Sequence, residues 1–163
     1  MRSIVALSFL AASAYLAPLS AQDVGLPIGT VAPAAALQTI DGKAVNLKDY
    51  IGKTPVLIEF WATWCPNCAE LEPAMLAAKK KYGDTVKFLG VAVSVNQSPA
   101  RVKAYAEKHQ LPLEVLWDND GNATDVYQAA ATSYVVVIDK SGKVVYTGVG
   151  GKQNLDAAIR KAM

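Results

Sequence analysis

The stretch from Pro55 to Cys68 constrains this chain more than any other. The apolar run Pro55-Val56-Leu57-Ile58-Glu59-Phe60-Trp61 has the length and β-branched content of a buried strand, and a helical pattern takes over just beyond it. At the handover stand the only two cysteines in the chain, Cys65 and Cys68. Cys65 is placed as a helix N-cap and Pro66 at the first helical position, where a missing N–H costs nothing. The free backbone donors and the positive end of the helix then converge on the Cys65 sulfur, which lowers its pKa and favours the thiolate.

From Pro66 the helix sets Cys68, Leu71, Met75, Ala78 and Tyr82 on one stripe. Met75 reads as core rather than as a ligand, Gly83 as a left-handed residue closing the helix, and Pro73 as a kink within it. Before the strand, Gln22–Thr30 reads as flexible. Ala35–Ile40 and Lys43–Asn46 then form a hairpin about Asp41-Gly42, and a short helical turn spans Leu47–Tyr50. After the helix come a strand at Val86–Ser94, a helix capped by Ser98-Pro99, a short strand at Leu113–Leu116 and a short helix at Ala123–Gln128. A second hairpin pairs Tyr134–Ile138 with Lys143–Tyr146, and a last helix buries Leu155, Ala158, Ile159 and Ala162. Strands alternating with helices imply an α/β fold with a parallel core, to which the hairpins add antiparallel pairing.

At 163 residues, 52% of them hydrophobic and 18% charged, the chain suits one globular domain with a substantial core. Sixteen basic against fourteen acidic residues leave a formal charge of only +2, and the longest basic run is Lys79-Lys80-Lys81, which reads as a solvated last helical turn. Nucleic acid is thereby excluded as a partner. His109, the one histidine, falls near a helix end and reads as a dipole or packing residue rather than a catalyst.

Met1-Arg2, the apolar run Ile4–Leu16, Pro18 and the small residues Ser20-Ala21 resemble a secretory signal peptide over 1–21, leaving a folded domain over 22–163. An uncleaved anchor would need about 20 apolar residues, and Ser8, Ser13 and Pro18 interrupt a shorter run. Export, to a periplasmic or other extracytoplasmic space, places the cysteines where disulfides persist. A bridge closing so short a loop restrains the unfolded chain by only about 2 kcal/mol, so its value is not mainly structural.

Two thiols three positions apart can close and reopen a disulfide without moving the backbone. The expected cycle has an exposed Cys65 attack a partner's disulfide, after which Cys68, facing the core stripe, resolves the mixed disulfide. A buried thiol needs help in losing its proton. Glu59, set amid Ile58, Phe60 and Trp61, must be hydrogen-bonded or raised in pKa if buried, and is assigned as proton acceptor for Cys68 through a water. The competing reading puts Glu59 at a strand edge facing solvent.

Glu59 through Pro73, with Trp61, Trp64-Cys65-x-x-Cys68 and the helix-interior Pro73, resembles the active-site segment of the thioredoxin superfamily. With the N-terminal signal, the first hairpin and the insertion between Val86 and Val126, the chain is similar to exported TlpA/ResA-like members over Ile28–Met163. The resemblance implies a thioredoxin-like mixed sheet flanked by helices and an exported thiol:disulfide oxidoreductase that reduces protein disulfides. It implies no cofactor beyond the Cys65–Cys68 disulfide itself. The implied partners are a disulfide-bearing protein, with apocytochrome c in cytochrome c maturation as a candidate, and a membrane thiol reductant. The chain itself is expected to act as a monomer. Substrate contacts fall to Trp64, Pro66, Asn67 and Thr132.

One departure concerns the loop facing the motif. Thioredoxin-like proteins carry a cis-proline there, whereas the last proline of this chain is Pro112 and the corresponding place is Ala131-Thr132-Ser133. A cis bond before a non-proline residue costs about 3 kcal/mol, so a trans loop is expected, with the Thr132 hydroxyl offered to the thiolate as in the related peroxiredoxins. A two-thiol peroxidase is one lesser reading. The alternative of another class is a metal- or iron–sulfur-binding module in which two copies share their Cys pairs, since a closed site needs four donors.

Overall fold

The computed structural model describes residues 24–163, so the signal peptide over 1–21 and its boundary lie outside the described residues. In chain order the elements are β1 (Ala36–Thr39), β2 (Ala44–Asn46), a 3-10 turn (Leu47–Asp49), β3 (Val56–Trp61), α1 (Pro66–Tyr82), β4 (Lys87–Val93), α2 (Pro99–His109), β5 (Glu114–Asp118), α3 (Asn122–Val126), β6 (Tyr134–Ile138), β7 (Val144–Val149) and α4 (Leu155–Arg160). The strands form one sheet in the order β2-β1-β5-β4-β3-β6-β7. β3, β4 and β5 run parallel, while β1, β2, β6 and β7 pair antiparallel with their neighbours. This is the mixed, helix-flanked sheet with an N-terminal hairpin that the sequence implied.

All six residues of β3 are buried, because β3 lies between β4 and β6 and both of its faces are covered. Alternation along the strand divides the core. Val56, Ile58 and Phe60 pack with Leu26, Leu47, Tyr127 and Tyr134 on one face, whereas Leu57 packs with Leu71 and Met75 of α1 and Leu155 and Ile159 of α4 on the other. Glu59 and Trp61 share the parity of Leu57, so the strand delivers both to the α1 face. The predicted stripe of α1, Cys68 through Tyr82, is buried throughout, as is that of α4.

Several expectations need correcting. Residues 24–30 are docked, not loose: the Leu26 amide donates to Tyr134 Oη at 3.0 Å and the Gly29 amide to the Val144 carbonyl at 2.8 Å. Gly83 is right-handed (φ −61°), because the chain leaves α1 through a further tight turn in which Thr85 and Val86 both donate to the Tyr82 carbonyl. β5 runs on to Asp118, whose buried carboxylate accepts from the Ala123 and Thr124 amides and the Thr124 hydroxyl, tying α3 to the strand end. α3 itself stops at Val126, and Gln128 beyond it is left-handed (φ 52°).

Candidate active site

The handover from β3 to α1 is a short turn held from both sides. The Cys65 amide donates to the Ala62 carbonyl at 3.2 Å, and Gln97 braces the turn from the β4–α2 loop, its Nε2 donating to Val93 O at 2.6 Å while its Oε1 accepts from the Thr63 amide at 2.9 Å. Trp64 Nε1 donates to Val95 O at 2.8 Å, which leaves the ring lying on the surface, 42% exposed. Gln97 escaped the sequence reading because it is polar, lies in a loop, and meets the motif only through the fold.

Cys65 is the N-cap of α1 and Pro66 its first residue, as the sequence implied, and the Cys65 sulfur accepts from the Cys68 amide at 3.1 Å. The two cysteines form a disulfide with a Cα–Cα distance of 5.3 Å. Cys65 is not exposed, however: it is 5% accessible and Cys68 6%. Trp61, Ala62, Val93 and Trp117 pack in one cluster with both cysteines and cover them. Pro66 and Asn67 form the exposed rim.

The Ala131–Ser133 loop contains no cis bond, and no described peptide is cis. Ser133 is buried in the left-handed region (φ 61°), and its backbone is fully engaged: its amide donates to Phe60 O at 2.8 Å and its carbonyl accepts from the Gly150 amide and Gln153 Nε2. Half-buried Thr132 lines a groove of about 350 Å³ with Trp64, Val95 and Ala129–Ala131, and no charged side chain enters it.

Glu59 is 5% exposed at the centre of the sheet, in register with Gly90 on β4 and Val135 on β6, which overturns the solvent-facing edge reading. Its Oε1 has no hydrogen-bond partner in the protein. Burial, and next the negative charge of Glu72, push the Glu59 carboxyl up to about 8. Glu59, Trp61, Cys68 and Glu72, with Met75 and Leu113, line one small cavity that is partly open to solvent and whose volume of about 10 Å³ is near that needed for one water. Glu59 and Cys68 thus meet across a space of water size. Glu72 was missed, since an acidic residue on α1 gains significance only once α2 covers it.

His109 lies in the last turn of α2 and packs, as read, by stacking on Tyr105, with ring centroids 3.9 Å apart. Among the described residues no group of three or more His, Cys, Asp or Glu side chains gathers where it could hold a metal ion, so the metal-module alternative finds no donor set in one chain. Among the described residues no helix is long and apolar enough to cross a membrane.

The AhpC/TSA family model matches residues 28–147. A thioredoxin-like protein of Bacillus subtilis, YneN, is 31% identical over 143 residues, spanning 86% of this chain and 83% of its own. The thiol-disulfide oxidoreductase ResA of Geobacillus thermodenitrificans is 30% identical over 160 residues, spanning 95% and 90%. Among solved structures, a thiol:disulfide interchange protein of Chlorobium tepidum superposes with a TM-score of 0.67 at 26% identity, covering 82% of this chain and 96% of that one. The exposed lipoprotein thioredoxin Etrx1 of Streptococcus pneumoniae does so with a TM-score of 0.63 at 31% identity, covering 79% and 96%.

Proposed function

The chain belongs to the AhpC/TSA family of thioredoxin-like proteins, and from that premise we propose that it is an exported reductase of protein disulfides. Thiol-disulfide oxidoreduction is the activity named for its ResA relatives. The observation that carries the reading is the Cys65–Cys68 bridge at the N-cap of α1, with Glu59 buried across a water-sized cavity from Cys68.

In the reduced protein the Cys65 thiolate, favoured by the α1 N-terminus and the Cys68 amide, attacks one sulfur of the substrate disulfide. A Cys65–substrate disulfide forms and the first substrate thiolate leaves. The Glu59 carboxylate then takes the Cys68 proton through the cavity. The Cys68 thiolate attacks the Cys65 sulfur, the second substrate thiolate leaves, and the Cys65–Cys68 bridge closes. Two electrons pass to the substrate, whose thiolates take protons from solvent, and a membrane thiol donor returns two electrons to the protein.

The uncharged groove beside Trp64 and Thr132 suits an extended segment around a substrate cysteine, and exposed Pro66 and Asn67, next to the cysteines in the chain, are the further substrate contacts proposed. An unfolded exported protein with a cysteine pair, such as an apocytochrome c, has the required chemistry, and a monomer suffices for the cycle. Extracytoplasmic placement draws support from the lipoprotein thioredoxin neighbour and from residues 1–21. Turnover of insulin disulfides by the mature chain with a dithiol donor tests the reading: activity lost on Cys65→Ser supports it, and activity retained in that variant overturns it.

A further inference from the structure

At neutral pH a carboxyl raised as far as Glu59 is largely protonated, and it must release that proton before it can take one from Cys68. The surroundings offer few protein groups that could take it. From α1 Glu59 is faced by Cys68 and Glu72, and from α2 by Tyr105, with His109 behind it; Gly90 and Val135 on the flanking strands and Leu111, Pro112 and Leu113 after α2 bring no ionisable group. Apart from the thiol that Glu59 serves, Glu72 is the ionisable group lining the cavity.

Glu72 spans the distance from that cavity to the surface. Its Oε1 accepts from Tyr105 Oη at 2.8 Å, and its Oε2 lies 3.3 Å from His109 Nδ1. The side chain is 23% exposed and that of His109 33%. Burial, then the bond to Glu72, push the Tyr105 hydroxyl up to about 12, so it remains a fixed donor that orients the carboxylate, and the Tyr105–His109 stack holds the imidazole in place. Met75, Leu111 and Leu113 line the cavity with apolar atoms, so they offer the proton no acceptor.

We propose that Glu72 is the proton outlet of the site, connecting Glu59 through the shared cavity to His109 and solvent. The inference rests on the disulfide-exchange reading and assigns a residue that the cysteine motif does not include. The proton of Glu59 passes through water in the cavity to the Glu72 carboxylate, then to His109 or bulk water, leaving Glu59 ionised to accept the Cys68 proton. No electrons move in this step. Glu72 touches no substrate and acts only through Glu59.

The symmetrical disulfide of thionitrobenzoate separates the steps, because the reduced chain releases one coloured thiolate when Cys65 attacks and a second when Cys68 resolves. Stopped-flow traces of Glu72→Gln across the pH range should show an unchanged first release and a second slowed about tenfold, less than direct transfer to a base is worth, with a shifted pH profile. Glu72→Asp should restore much of the rate, and added imidazole should rescue His109→Gln. A second release in Glu72→Gln with the wild-type rate and pH profile overturns the proposal, as does equal slowing in Glu72→Asp or a His109→Gln defect that imidazole leaves untouched. If the wild-type chain releases no thionitrobenzoate, the exchange reading itself falls and the outlet with it. If Glu59→Gln alone loses the second release, the exchange reading stands and the outlet falls.

Discussion

Glu59 Oε1 and Trp61 Nε1, two residues apart on β3, line the same water-sized cavity beside Cys68, and neither has a hydrogen-bond partner within the protein. An acceptor and a donor left unpaired in a core are costly to stability. Here they flank a thiol that must lose a proton, so a local cost coincides with a chemical use.

Stability should fall with pH because of Glu59. Its folded-state carboxyl is raised from 4.5 to about 8, so between those values the folded chain holds a proton that the unfolded chain has lost. Its favourable contribution is complete below about pH 4.5 and is lost as pH rises through 8. At about 1.4 kcal/mol per pH unit the whole window amounts to about 5 kcal/mol at most. Guanidinium unfolding of the oxidised chain should show a stability decline from pH 5 to pH 8, and Glu59→Gln should flatten it.

The two cysteines should fail differently. Cys65→Ser abolishes exchange, whereas Cys68→Ser lets the first attack proceed and halts at a Cys65–substrate mixed disulfide. Mass spectrometry after incubation with an oxidised peptide should find that adduct in Cys68→Ser and not in Cys65→Ser.

Gly90 makes room for the site. A Cβ there would lie 2.9 Å from Trp61 Nε1 and 3.0 Å from Leu113 Cδ1, both in a packed interior. Gly90→Ala should therefore destabilise the chain by about 1–3 kcal/mol in chemical denaturation, in spite of the better strand propensity of alanine.

Asp118 should matter as much as a core residue. Replacing it with alanine removes three hydrogen bonds that hold α3 to β5, at a cost of about 2–3 kcal/mol. Thermal denaturation should show the loss, and Asp118→Asn should recover part of it.

The legible features were those carried by periodicity and local chemistry. The apolar run of β3, the α1 stripe, the Cys65 cap with Pro66 and the Ser98 cap all depend on residues within a few positions of one another, and the structure contains each. What sequence could not supply was how distant segments meet. Cys65 is covered because Val93 and Trp117 arrive from other strands, and Glu72 of α1 meets His109 only because α2 brings Tyr105 and His109 to its carboxylate. Gly83 was misread because a helix end can be closed by either hand, and the turn at Thr85 and Val86 decides it. The Ala131–Ser133 loop is trans, as the absence of proline there implied, but its anchoring by Phe60, Gly150 and Gln153 joins three separate elements.

As a protein-disulfide reductase the chain requires Cys65–Cys68 to be a working redox pair poised to reduce. Equilibrating the mature chain with glutathione buffers and quantifying its dithiol form measures this directly. A reduction potential at or below about −220 mV is the predicted result, and a potential near −120 mV, or a disulfide that does not exchange at all, would contradict it.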